Sequence, residues 1–131
     1  MSDYVHQTTV EVRVRYHECD PMNVAHHAVY PVWLEIARTE LLRERGLAYR
    51  QCEEQGILFV VARMSLRYHK PARYDDLLTI HVKARRSAGV KVEHDYEITR
   101  GGELLTTAST TLVCVDRAGK IMPIPPAVLG E

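Results

Sequence analysis

Only three of the 131 residues are cysteine, one is tryptophan and one is phenylalanine, and charges of opposite sign cancel. Cys19, Cys52 and Cys114 are odd in number and widely spaced, which excludes a disulfide framework and suits a reducing cytoplasm. Seventeen Lys plus Arg offset seventeen Asp plus Glu, so no global field draws the chain to nucleic acid or an anionic membrane, and any phosphate site must be a local cluster. No apolar run approaches the roughly 20 residues needed to span a bilayer. The opening Met-Ser-Asp-Tyr carries neither a basic region nor an apolar one, so no secretory leader is expected and the location is read as cytoplasmic.

What is present is a 46% hydrophobic content, enough for one domain over residues 1–131 with a real core. Val10, Val12, Val14 and Tyr16 alternate with Glu11, Arg13 and Arg15, which predicts a half-buried strand over Thr8–Tyr16. Val29, Trp33, Ile36, Ala37 and Leu41 then recur at helical spacing, Pro31 suits a first turn and Gly46 supplies a stop. Glu35, Arg38, Glu40 and Arg43 fall mostly elsewhere on that wheel. A short helix over about Ala48–Glu54 precedes strands over Leu58–His69, Leu78–Ala84, Val90–Ile98 and Leu104–Val115, with turns at Ala88-Gly89, Gly101-Gly102 and Asp116–Lys120. Pro123, Pro125 and Pro126 predict an extended C-terminal arm. The class is α+β, a five-stranded antiparallel sheet wrapped around one long helix.

Asp20 stands between the first strand and the long helix, in Cys19-Asp20-Pro21-Met22-Asn23-Val24-Ala25-His26-His27-Ala28-Val29-Tyr30. An electrophile held there meets a carboxylate on one side and unpaired N–H donors of a helix start on the other, which suits acyl transfer. An Asp before Pro is also an ordinary turn former. His17, Cys19, His26 and His27 invite a metal, but adjacent histidines cannot easily face one ion and the spacing fits no standard zinc pattern, so none is expected.

Arg13-Val14-Arg15-Tyr16, Asp20, His27, Tyr30, Glu35, Ala37-Arg38-Thr39-Glu40 and Leu42-Arg43, followed by Tyr68-His69-Lys70-Pro71-Ala72-Arg73-Tyr74-Asp75-Asp76-Leu77-Leu78, resemble the hotdog-fold 4-hydroxybenzoyl-CoA thioesterase family, in particular its Tol-Pal-associated acyl-CoA thioesterases. The resemblance implies hydrolysis of an acyl-CoA with Asp20 as base or nucleophile and the His27 backbone amide as oxyanion donor. It implies no metal or redox cofactor, and a homodimer or homotetramer with sites shared between subunits. The departure is Pro21-Met22-Asn23 and His26, where the family has a small glycine-containing run and a tyrosine; Asn23 can adopt left-handed angles as glycine does.

Tyr30 is expected in the acyl slot with Phe59, Val60 and Val61, and Trp33 in the core. Arg85 and Arg86 are candidates for the coenzyme A phosphates, with Lys91 and Arg117 weaker ones. Glu35 is expected as a buried or hydrogen-bonded structural acid, and His27 as a pocket wall. The competing function is a non-catalytic acyl-CoA or acyl-carrier-protein binding module, which has no need of a carboxylate beside the thioester carbon. A hotdog dehydratase would want a His with an acidic or polar partner, and no such motif is seen.

Overall fold

The computed structural model describes residues 3–85 and 89–129. Five strands, β1 (Tyr4–Arg13), β2 (Leu58–Tyr68), β3 (Leu77–Arg85), β4 (Lys91–Arg100) and β5 (Glu103–Val115), form one antiparallel sheet in the order β1-β3-β4-β5-β2. The long helix α1 (Tyr30–Glu44) lies across β1 and β3, giving the hotdog arrangement. A short helix α2 (Tyr49–Glu54) leads to β2, and Gly46 between the helices sits at φ 81°, where a side chain would be strained.

Alternation sets the faces. Leu78, Ile80, Val82 and Ala84 of β3 and Val92, His94, Tyr96 and Ile98 of β4 are buried against the helix side. Thr79, His81, Lys83, Glu93, Asp95 and Glu97 lie on the other face, where Lys83 pairs with Glu97 at 3.8 Å. Trp33, Leu34, Ala37 and Leu41 fill the core from α1, each large side chain contributing about 1.5–3 kcal/mol.

β2 contains a bulge at which Ala62 is the unmatched residue, Val61 facing Leu112 and Arg63 facing Thr111. Before it Phe59 and Val61 oppose the buried Cys114 and Leu112; after it Met64 and Tyr68 oppose the buried Thr110 and Thr106. One extra residue therefore switches the inward-facing set from odd to even positions.

Several expectations are corrected. The first strand begins at Tyr4 and ends at Arg13, because Val14 bonds the Asp75–Asp76 turn instead of another strand. Tyr16, expected inward, opens a 3-10 turn (Tyr16–Glu18) and is 80% exposed. On α1 Ile36 faces outward and Arg38 is buried, the reverse of the expected wheel, because the Arg38 guanidinium is received by the hydroxyls of Tyr49 and Tyr96. Glu35 is exposed, lying 3.8 Å from Arg38; the buried acid is Glu18. The C-terminal arm is extended only to Pro125, after which a single helical turn α3 (Pro126–Leu129) starts on a proline, whose missing N–H is tolerated there.

Candidate active site

The loop carrying Asp20 is tied down at both ends. Cys19 bridges to Ala25 and Val24 to Arg73, and the Ala25 N–H donates to the Ala72 carbonyl at 2.7 Å. The two motif segments read in the sequence are thus one structural unit. Asn23 turns the chain at φ 63°, the left-handed angle expected of it. The Met22 N–H donates to Asp20 Oδ1 at 2.8 Å and the Val24 N–H at 3.4 Å, which fixes the carboxylate, while Oδ2 has no hydrogen-bond partner among the described residues.

Beyond the loop, a 3-10 turn (His27–Val29) runs directly into α1. His26 Nδ1 accepts from the Ala28 N–H at 3.1 Å, and the His26 carbonyl accepts from Val29. The N–H of His27 is left without an acceptor among the described residues. An orphan donor of this kind at a helix start can stabilise an oxyanion.

Asp20, His27 and Tyr30 line one open recess of about 340 Å³, together with Val24, Ala25, Tyr68, His69, Lys70 and Pro71. Tyr30 is buried, accepts from the Ala72 N–H at 3.3 Å, and is packed edge-on by Tyr68 at 4.8 Å and Trp33 at 4.9 Å. Burial pushes the Tyr30 hydroxyl up, so it stays protonated. Trp33 is core, as expected, and its Nε1 donates to Glu18 at 3.3 Å. Glu18 also accepts from the Arg15 N–H at 2.7 Å; burial pushes its carboxyl up, but the Arg15 amide and guanidinium outweigh this and hold it below the usual range.

The remaining expected residues lie elsewhere in the chain. Phe59 and Val61 line a second recess of about 350 Å³ with Glu35, Arg38, Thr39 and Tyr49, while Val60 faces outward and is 47% exposed. Arg85 is ion-paired to Asp95 at 2.6 Å, far along the sheet, and Arg86 lies outside the described residues. Arg117 donates to the Glu53 and Glu54 carbonyls at the end of α2. Sequence reasoning missed Tyr68 and Lys70 as recess residues, although both stood in the second motif segment.

Residues 14–131 match the model of the thioesterase-like superfamily. The chain is 33% identical to the acyl-CoA thioester hydrolase YbgC of Escherichia coli O6:H1 over 92% of its own length and 91% of that protein's. A crystal structure from Aquifex aeolicus superposes with a TM-score of 0.90 at 28% identity, covering 94% of this chain and 97% of that one. The DHNA-CoA thioesterase of Staphylococcus aureus superposes with a TM-score of 0.87 at 30% identity, covering 89% and 80%. With a family model matched over residues 14–131 and a relative 33% identical over most of both lengths, the chain belongs to the thioesterase-like superfamily of hotdog proteins.

Proposed function

We propose that this protein is an acyl-CoA thioesterase in which Asp20 and the His27 backbone N–H act on the two sides of the thioester carbonyl. The observation that carries the reading is that both residues line one recess, and that among the described residues one Asp20 carboxylate oxygen has no hydrogen-bond partner and the His27 N–H no acceptor. The His27 N–H donates to the carbonyl oxygen as negative charge develops there, an effect worth about 3 kcal/mol for a preorganised donor. Asp20 either takes a proton from an incoming water or attacks the carbon itself to give a mixed anhydride that water then opens. In both cases a C–O bond forms, the C–S bond breaks, and coenzyme A leaves as a thiolate that is then protonated. Tyr30 forms the wall of the acyl slot.

β2 is an edge strand, and its neighbouring Val60 and Val61 are both about half exposed, at 47% and 45%. Antiparallel pairing of two β2 strands about their midpoint would set one copy's Leu58–Val61 segment against the other copy's Ser65–Tyr68, so Phe59, Val60 and Val61 would lie next to the Tyr68 rim of the partner's Asp20 recess. A homodimer or homotetramer with shared sites follows. Arg85 and Arg86 would hold the coenzyme A phosphates, Arg85 exchanging Asp95 for the ligand.

The test is release of free thiol from short, long and aromatic acyl-CoAs by the wild type and Asp20→Asn in parallel. Turnover that falls about 10²-fold or more in the variant supports the assignment. Equal activity in both removes Asp20 from the mechanism, and saturable binding without hydrolysis turns the reading to a sensor.

A further inference from the structure

One hydroxyl of the Asp20 recess is only half engaged. Tyr30, the first residue of α1, is 2% exposed yet lines the recess, and its oxygen accepts from the Ala72 N–H at 3.3 Å. Its own O–H meets no acceptor among the described residues. At this burial an unspent donor is costly, and such groups are nearly always answered by a partner.

The neighbours of that oxygen place it. The side turned to the Ala72 amide is taken, so the O–H points away from it. Ala72 follows Pro71, and its carbonyl accepts from the Ala25 N–H; Pro71 and Ala25 both line the recess, so the hydroxyl stands at the recess wall. The hydroxyls of Tyr30 and Tyr68 are close enough to interact electrostatically, and Tyr68 is bonded to the His27 carbonyl at 3.1 Å. His27 and Tyr30 are themselves three residues apart on a 3-10 turn running into α1, a spacing that stacks them on one face. We infer, on the thioesterase reading above, that the Tyr30 O–H is a second hydrogen-bond donor to the thioester carbonyl oxygen beside the His27 N–H, and so a catalytic residue as well as a wall. Burial keeps the phenol protonated, which suits a donor that holds its proton throughout and not an acid that gives it to the departing thiolate.

The test is thiol release by Tyr30→Phe, which keeps the ring against Tyr68 and Trp33 and removes the hydroxyl. kcat is expected to fall about 10²-fold with KM little changed, and by the same factor for acyl thioesters of good and of poor leaving thiols. A kcat within about 3-fold of the wild type, a change in KM alone, or a loss confined to poor leaving thiols overturns the inference while leaving Asp20 in place. A second readout needs no turnover: the carbonyl stretch of a bound ketone analogue, with a methylene in place of the thioester sulfur, should lie lower on the wild type than on Tyr30→Phe, and equal positions overturn the assignment. Should the variant fail to fold, a difluorotyrosine in place of Tyr30 decides. Its more acidic phenol loses the donor on ionising, so activity is expected to fall at a lower pH than in the wild type, and an unshifted profile overturns the inference. A wild type that releases thiol from no acyl-CoA takes down the thioesterase reading itself, and this inference with it.

Discussion

The Tyr68 hydroxyl, at the end of the edge strand β2, donates to the His27 carbonyl at 3.1 Å. It thereby holds in place, from another element, the residue whose N–H is proposed above as the oxyanion donor. Tyr68→Phe keeps the packing on Tyr30 and removes only this bond, which is worth about 1 kcal/mol. The expected result is a roughly 5- to 10-fold loss of kcat with KM little changed, measured by thiol release. A KM effect alone would assign Tyr68 to binding instead of positioning.

Glu18 is the acid on which the entry to the site rests. Glu18→Ala leaves the Arg15 N–H and the Trp33 indole N–H without their acceptor, at a cost of about 2–4 kcal/mol in urea unfolding. Because the folded carboxyl is held below its usual range, its contribution is present above the unfolded pKa and is lost as pH falls through the folded one. Glu18→Gln should therefore flatten the acid limb of the stability curve.

His94 works in a different pH window. Burial first, and the Arg38 charge second, push its imidazole down to about 4, so the unfolded chain binds a proton between about pH 6.5 and 4 that the folded chain refuses. Stability is full above that window and declines through it, by on the order of 2 kcal/mol from pH 7 to 5. Denaturant midpoints at the two pH values check this, and His94→Leu should reduce the slope.

Arg117 closes α2 from a distance, its guanidinium on the carbonyls of Glu53 and Glu54. Arg117→Ala exposes these last carbonyls and is expected to lower stability by about 0.5–1 kcal/mol. Thiol release should be unchanged, since the residue lies outside the Asp20 recess.

The edge of β2 gives the assembly prediction. Val60→Glu places a charge on an exposed apolar edge and is expected to shift the sedimentation profile to monomer, with activity lost in proportion. A monomer of full activity would show that the Asp20 recess needs no second copy.

Alternation made β3, β4 and β5 legible to within two residues at either end, because a half-buried strand is written in period two. The helix was legible in extent but not in facing: Arg38 reads as polar and is buried, since a long cationic side chain can enter a core where hydroxyls receive it. Asp20, His27 and Tyr30 stand within eleven residues, so their meeting in one recess follows from local chain geometry. Tyr68 arrives from more than thirty residues away through the sheet register, and its place depends on the bulge, which has no signature in composition.

That bulge gives chain length a chemical meaning. Deleting Ala62 would restore an unbroken ladder in β2 and leave every residue's identity intact, yet Tyr68 would turn to the outer face and release His27. A shorter strand of better local regularity would thus be a poorer enzyme, so along β2 the count of residues is constrained as tightly as their kind.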